Sequence, residues 1–245
     1  AAARVGGILA NNNNKANFLY ENLTIQTNII HGSFLAGVKN LIFLGSSCIY
    51  PKKTKQPIKE SFFMTGPLEN TNDAYAIAKI TGVKMCMEYS KQYKLNYKTL
   101  MPANMFGAND NYDLSSSHFF PALIRKIHNA KIRKKKFITL WGNGKPKREL
   151  LYVEDFADAC EFFMRKKTKE SFVNIGSGVE KTIKGFAQYI MKRLNVNLKI
   201  KYDLTKPNGM QRKKLDLSIS KKYGWKSKTS LNEAFKKVYL DYLKN

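Results

Sequence analysis

The stretch that most constrains this chain is Leu41-Ile-Phe-Leu44, a short apolar run that stops abruptly at Gly45-Ser-Ser-Cys-Ile-Tyr50. Asn72-Asp73 then caps a helical pattern that runs from Ala74 to about Tyr93. A second apolar run, Tyr97–Met101, follows and ends at Pro102-Ala-Asn-Met-Phe-Gly107. Strand, long helix and strand in that order make a βαβ unit, so the sheet is expected to be parallel with a right-handed crossover. Ligands of open α/β folds bind beyond the carboxyl ends of such strands. Ser46, Ser47 and Cys48 are therefore read as lying at a binding edge. The helix between the strands sets Tyr75 and Lys79 four residues apart, on one face.

The rest of the chain is read around that unit. From Ala16 to Ala36 the apolar positions Phe18, Leu19, Leu23, Ile25, Ile29, Ile30 and Phe34 recur at helical period. Their broad face suits packing or a subunit interface. Pro51–Asn72 is a polar loop too long to be a mere connector. Beyond Gly107, a polar loop to Ser117 leads through His118 into a helix to Ala130. A strand at Phe137–Trp141 and a Gly142-Asn-Gly144 turn come next. Arg148–Val153 is a short apolar piece, Glu154-Asp155 start a helix through Met164, and Phe172–Ile175 returns to the parallel sheet. Thr182 caps a helix to Leu194, Leu198–Tyr202 is a strand, and Ser230-Leu-Asn-Glu233 is a capping box opening the last helix. The division expected is a sheet-based part over 1–107, with 149–178 returning to it, and a second lobe built from 108–148 and 179–245.

Composition excludes several classes. A 43% hydrophobic, 12% aromatic chain of 245 residues is globular, with room for one core and a smaller appended lobe. No apolar run approaches the roughly 20 residues of a membrane helix. Three cysteines and three histidines, scattered, indicate neither a disulfide framework nor a metal site, so the expected setting is the reducing cytoplasm. The formal charge of +25 admits attraction to polyanions. Its lysines are spread along the chain, and the one tight cluster, Lys131-Ile-Arg-Lys-Lys-Lys136, has no interleaved aromatic residues. A solvated basic surface is the better reading, nucleic acid is not an expected partner, and a positive field around a pyrophosphate-bearing substrate is an intermediate one. The opening Ala1-Ala-Ala-Arg-Val-Gly-Gly7 lacks an initiator Met and a charged leader region, and the expectation is that the start of the protein is missing.

A phenol is a poor proton donor near neutral pH unless its pKa is lowered, and an ammonium one helical turn away favours the phenolate. A serine hydroxyl nearby can hold the reacting oxygen. Ser46, Tyr75 and Lys79 are thus the set that reduction of a ketone by a nicotinamide requires. Tyr-x-x-x-Lys alone is a weak signal. Joined to the Gly-Ser-Ser strand end, the Pro102-Ala-Asn-Met105 turn and Arg148-Glu-Leu-Leu-Tyr-Val-Glu-Asp155, it resembles the extended short-chain dehydrogenase/reductase superfamily.

Within that superfamily, Gly45-Ser-Ser-Cys-Ile-Tyr-Pro51, Asn72-Asp-Ala-Tyr-Ala-Ile-Ala-Lys79, Ser117-His118 and Trp141-Gly-Asn-Gly144 look like the GDP-L-fucose synthase family, the GDP-4-keto-6-deoxy-D-mannose 3,5-epimerase/4-reductases. The resemblance runs over nearly the whole chain. It implies an α/β fold with a Rossmann-like doubly wound parallel sheet, its first strands missing, and a smaller α/β substrate-binding lobe. It implies NADP(H) as cofactor, a GDP-sugar substrate, and a homodimer through the helix 16–36. Ser46, Cys48, Tyr75, Lys79 and His118 take the catalytic roles, with Cys48 and His118 as the acid–base pair for the two epimerisations. Leu44, Gly45, Ser46, Ser47, Lys79, Pro102, Ala103, Asn104, Met105 and His118 would line the cofactor. Lys126, Trp141, Arg148, Lys199 and Arg212 would hold the GDP-sugar. Two positions depart from the family pattern: Lys126 stands where Arg is usual, losing bidentate phosphate geometry, and Asn208 stands where Asp is expected.

Plainer readings compete at each position. A buried Cys is by default a small core hydrophobe; Cys86 and Cys160 are read so, whereas Cys48, among hydroxyls past a strand end, is read as catalytic. His118 is otherwise a capping or solvent-facing residue, Trp141 a packing plug between lobes, and Arg148 an ion-pair partner. The functional alternatives are another nucleotide-sugar epimerase or reductase of the same superfamily, or a catalytically inactive basic protein that binds polyanions. The glycine-rich pyrophosphate turn of dinucleotide folds does not occur in the chain. Weak binding of NADPH, and inactivity of these 245 residues by themselves, are the corresponding expectations.

Overall fold

The computed structural model describes residues 3–244; Ala1 and Ala2 of the opening stretch and the terminal Asn245 lie outside them. A short helix α1 (Ile8–Asn13) precedes the long helix α2 (Lys15–Leu35), one residue ahead of the expected start. The predicted βαβ unit follows as β1 (Asn40–Leu44), α3 (Asp73–Tyr93) and β2 (Asn96–Pro102). β1 and β2 pair in parallel, Asn40 opposite Asn96 through Leu44 opposite Leu100. Both strands therefore end side by side, and the segments that follow them, from Gly45 and from Ala103, leave the same edge. Gly45 suits that turn: a Cβ would stand 2.4 Å from the Met101 sulfur, so any side chain there requires the methionine to move.

Next come β3 (Asn104–Phe106), α4 (Phe119–Ile132), β4 (Phe137–Trp141), β5 (Lys147–Tyr152), α5 (Val153–Arg165) and β6 (Phe172–Ile175). As expected, β6 returns to the parallel sheet, pairing with β2 from Thr99–Phe172 to Pro102–Ile175 and giving the order β1-β2-β6. The chain closes with β7 (Glu180–Thr182), α6 (Ile183–Arg193), β8 (Lys199–Asp203), β9 (Arg212–Lys213), α7 (Ser218–Lys222) and α8 (Leu231–Tyr242). The caps read from the sequence are in place: the Thr182 side chain accepts from Gly185 N at 2.9 Å, and Ser230 and Glu233 form their reciprocal box.

Two apolar cores organise the packing. One surrounds the parallel sheet, with Ile49, Tyr50, Val83, Leu100, Met101, Phe156, Phe163 and Ile175. The other lies between α4, α6 and α8, where Phe106, Phe120, Phe186 and Phe235 meet. Leu215 and Trp225 belong to the first core although they fall within the stretch 179–245 expected to form the second lobe, so the chain crosses back after β9. A buried lysine on β2 is explained by its partners: Lys98 Nζ donates to the carbonyls of Phe163, at 2.9 Å, and Lys166, at the carboxyl end of α5. A cation there answers the negative end of the helix dipole.

The sequence reading missed β3, β7 and β9, which have three, three and two residues. Strands so short carry no alternation. Partners from elsewhere in the chain create them: β5 pairs in parallel with β3 and β9 and antiparallel with β7. Helix α3 lies against β1 where Gly82 faces Phe43, and a Cβ on Gly82 would stand 2.3 Å from that ring. Gly82→Ala is thus expected to cost about 1–3 kcal/mol through overpacking, measured as a lower denaturant midpoint with an unchanged slope; an unaltered midpoint would show that Phe43 yields freely.

Candidate active site

The carboxyl edge of β1 and the first turns of α3 bring Ser46, Cys48, Tyr75 and Lys79 together. After Leu44 the chain turns into a single 3₁₀ turn, Ser47–Ile49, and the Ser46 hydroxyl caps it by accepting from Cys48 N at 3.3 Å. That cap buries Cys48, which is 5% exposed. Lys79, also buried, donates from Nζ to Leu44 O at 2.9 Å, and the same nitrogen lies 5.7 Å from the Tyr75 ring centroid. The helical spacing read from the sequence therefore does place phenol and ammonium on the face turned to the strand end.

The electrostatics differ from the sequence expectation in one respect. Burial pushes the Tyr75 phenol up, the Cys48 sulfur adds to that, and only the Ser46 hydroxyl works the other way. Lys79 was expected to draw the phenol down. Instead, its own loss of solvent brings Lys79 down to about 8, with Cys48 opposing. The ammonium is thus still the main form at neutral pH, and burial rather than Lys79 decides the direction of the phenol's shift.

The residues fit a nicotinamide ribose. An ammonium has three N–H donors, and among the described residues Leu44 O is the one acceptor that Lys79 Nζ has, so a buried cation at the strand edge retains donors for hydroxyls. Ser47 is buried and Met105 exposed at the same edge. Pro102 and Ala103 are buried, and Ala103 N is tied to Ile175 O at 2.9 Å. Asn104 is committed to the scaffold, its Nδ2 donating to Glu149 O at 2.9 Å.

His118 precedes α4 as its N-cap residue without a side-chain cap bond, and the residue as a whole keeps much of its surface exposed. The loop before it is held by the opening turn of the chain. Gly7 N donates to Ser116 O at 2.8 Å, and a Cβ on Gly7 would stand 2.5 Å from Ser117 O. The close approach that Gly6-Gly7 permits is thus to the chain's own His118 loop. Protein packed around the ring, and then the Lys213 ammonium, hold the His118 pKa below its usual value. Burial raises the Cys48 thiol against the pull of Lys213, Ser46 and Lys79. Both shifts favour the uncharged forms, thiol on Cys48 and neutral imidazole on His118.

Farther along, β4 and β8 pair in parallel with Trp141 opposite Asp203. Lys126 Nζ donates to Thr139 O at 3.1 Å and sits 5.1 Å from the Trp141 ring, and Lys206 Nζ lies 5.9 Å from that ring. Arg148 on β5 is buried and donates to Met210 O at 2.6 Å and Asn208 O at 3.4 Å; loss of solvent brings it down to about 10, with Glu69 opposing. Asn208 Oδ1 accepts from Asn143 N at 2.9 Å. The loop between β8 and β9 thereby straps the Trp141 turn to Arg148. Lys126, Trp141 and Arg148 are brought along one surface. Two other expected substrate residues are not. Lys199 pairs with Phe137, at the opposite end of β4 from Trp141. Arg212 is engaged by Glu180 through two bonds of 2.7 and 2.8 Å.

Sequence reading passed over Lys213, the neighbour of Arg212. Successive residues of a strand face opposite ways, so in β9 the alternate face falls to Lys213, opposite Arg148 in the β5 register. Its electrostatic neighbours are Cys48, Arg148 and Glu69, and it also acts on His118. Glu69 was missed too: it is 7% exposed, lies 3.4 Å from Lys52 Nζ through Oε1, and leaves Oε2 buried without a partner. No local sequence signal marks either. Among the described residues, no group of three or more His, Cys, Asp or Glu is placed to hold a metal ion, and no helix is long and apolar enough to cross a membrane.

Comparison with known proteins follows the same site. The NAD dependent epimerase/dehydratase family matches residues 1–176. The GDP-L-fucose synthase of Sinorhizobium fredii (strain NBRC 101917 / NGR234) is 47% identical over 245 residues, covering 100% of this chain and 78% of that protein. A crystal structure of a GDP-6-OMe-4-keto-L-xylo-heptose reductase from C. jejuni aligns with TM-score 0.91 and 31% identity over 100% of this chain and 81% of its own. A GDP-L-fucose synthetase from Naegleria fowleri, solved bound to NADP, aligns with TM-score 0.86 and 26% identity over 94% of this chain and 74% of its own. A thiol beside a Ser–Tyr–Lys set at a parallel strand edge agrees with likeness over the whole of this chain to GDP-sugar enzymes: the chain belongs to the NAD dependent epimerase/dehydratase family and, within it, to the GDP-L-fucose synthases.

Proposed function

We propose that this chain converts GDP-4-dehydro-6-deoxy-D-mannose to GDP-L-fucose by epimerisation at C3 and C5 followed by reduction of the C4 ketone with NADPH. The observation that carries the reading is Cys48 buried against the Ser46–Tyr75–Lys79 set. Carbons 3 and 5 both lie α to the C4 ketone, so their protons are acidified by it, and inversion needs a base on one face and an acid on the other. Cys48 and His118 form that pair. Ser46 and Tyr75 donate to the C4 oxygen while it carries enolate charge, and Tyr75 gives its proton to the same oxygen at reduction.

NADPH, when bound, supplies the hydride to C4. Lys79 holds its ribose hydroxyls, and the turns Leu44–Ser47 and Pro102–Met105 line it together with His118. Lys126, Trp141 and Arg148 receive the GDP moiety, so the sheet-based part serves the cofactor and the second lobe the nucleotide sugar. A homodimer through α2 and α3 and a cytoplasmic setting belong to the same reading. The first is supported by the apolar residues these helices expose, Ile29 and Ile77 at 47% and Leu35 at 70%, the second by three unpaired cysteines.

Three outcomes test this. Incubation of a full-length version with GDP-4-keto-6-deoxymannose and NADPH is expected to yield GDP-L-fucose, and Cys48→Ser in it to abolish deuterium incorporation at C3 and C5 while sparing ketone reduction more; equal loss of both would remove the thiol from the epimerisation. Because the Lys79 proton is lost at about 8 rather than at the usual lysine value, the ammonium is present below that pH and absent above it. The reduction rate should fall as pH rises through that region, and Lys79→Arg, whose charge does not titrate there, should lose this limb even if slower throughout. Finally, the double variant Ile29→Lys, Ile77→Lys is expected to sediment as a monomer where the unaltered chain sediments as a dimer; equal sedimentation of the two would exclude this face.

A further inference from the structure

His118 stands at the end of a loop that other elements hold along its length. At its start Asn109 N donates to Asp241 Oδ2 on α8 at 2.8 Å, and midway the Arg125 guanidinium of α4 donates to Tyr112 O at 3.0 Å. Near its end Gly7 N donates to Ser116 O at 2.8 Å. Between these points the loop is knotted on one oxygen. Asp113 Oδ1 accepts from Ser115 N at 2.9 Å, from Ser116 N and Ser116 Oγ at 3.1 Å each, and from Ser115 Oγ. A carboxylate that collects the amides two and three residues on folds the chain back on itself. The Asp113 backbone joins in: its N–H donates to Asn111 Oδ1 at 2.9 Å and its carbonyl accepts from Ser117 N at 2.8 Å. The residue beside the histidine adds no bond from its own side chain, since Ser117 Oγ is buried without a partner among the described residues. His118 itself makes no side-chain cap bond, and α4 beyond it is fixed in the second core through Phe120, Ile124 and Ile127. The imidazole is thus carried at the joint between a packed helix and a turn that Asp113 closes.

Resting on the epimerase reading above, we propose that Asp113 is a positioning residue of the epimerisation: one carboxylate oxygen closes the turn that leads into His118 and so fixes where the imidazole is presented. It acts through the histidine alone. Ser46, Tyr75 and Lys79 are placed by the end of β1 and by α3, so reduction of the ketone does not draw on this turn. Without the Asp113 acceptor, Ser115 and Ser116 are free to bond locally in other ways, and the turn loses its single form. Proton transfer at carbon is sensitive to such a change, since a displacement of about 1 Å costs on the order of a hundredfold. The side-chain bonds of Asp113 end on Oδ1, so the turn needs an acceptor oxygen rather than a charge. Asparagine keeps such an oxygen and alanine does not.

The test uses a full-length version with Asp113→Ala and Asp113→Asn. One arm follows deuterium incorporation from solvent at C3 and C5 of GDP-4-keto-6-deoxymannose without NADPH. A second gives the same proteins NADPH and substrate that the unaltered protein has already epimerised, filtered free of it, so that reduction is read by itself. A third, without substrate, follows carbethoxylation of His118 by diethyl pyrocarbonate across pH, on the His118 peptide by mass spectrometry. Asp113→Ala is expected to lower kcat for incorporation about tenfold or more, with KM and reduction little changed, and Asp113→Asn to restore most of the loss. In Asp113→Ala the His118 curve should move up toward the ordinary histidine value of about 6.5, because the protein packed around the ring is what holds it below that value. Equal loss of incorporation and reduction, a loss confined to KM, no rescue by Asn, or an unmoved His118 curve would overturn the proposal. If the unaltered full-length protein shows no incorporation at all, the epimerase reading fails, while the His118 curve still decides whether Asp113 places the imidazole.

Discussion

The arrangement depends on one buried carboxylate. Glu149, with no exposed surface, sits mid-strand in β5 and accepts from Gly178 N at 2.7 Å and Leu215 N at 2.9 Å. Those two amides belong to the turn after β6 and to the segment after β9, so a single side chain fastens both to β5. The fit is tight enough that a Cβ on Gly176 would stand 2.2 Å from its oxygen. Burial pushes the Glu149 carboxyl up, and the two backbone amides pull it back. Burying a carboxylate is costly unless its lone pairs are satisfied, and here amide donors on two segments satisfy it. Arg148 and Glu149 are adjacent residues on opposite faces of one strand: the first meets the loop between β8 and β9, the second anchors the backbone that carries Lys213.

The candidate site itself is short of negative charge. Lys79, Arg148 and Lys213 all lose solvent there, and burial lowers the pKa of each. Glu69 is the carboxylate that acts on two of them. Packing cations together is unfavourable in the free protein, and an enolate or a diphosphate relieves it. The excess positive charge that composition reports for the whole chain therefore has, at this one place, a directed arrangement, whereas the run Lys131–Lys136 is simply exposed.

What was legible in the sequence follows from where the information lies. Ser46, Cys48, Tyr75 and Lys79 could be read because a strand end and a helical period place them, and both are local patterns. The same holds for the caps at Thr182 and Ser230. Lys213 could not be read because β9 is two residues long and owes its existence to β5, more than sixty positions earlier. With no alternation to show which residue faces inward, Arg212 is the more attractive choice, yet it is held by Glu180. Lys199 fails similarly: being on the right strand does not settle at which end. The protonation states lay outside sequence reading for another reason, since burial outweighs the single neighbour that spacing reveals.

The contact between Gly7 and the Ser117 carbonyl carries a consequence for how such chains diverge. Two backbones there are separated by less than one methyl group requires, and one of them leads directly into His118. Mutational drift at position 7 is accordingly not neutral with respect to chemistry: even the smallest side chain displaces the loop that presents the imidazole. A lineage that keeps the Ser–Tyr–Lys set but accepts a substituent at this glycine would retain that set while displacing His118, the proposed partner of Cys48. On the proposed mechanism such a change is a one-step route from a bifunctional catalyst to a simple reductase, with both the thiol and the histidine still written in the gene.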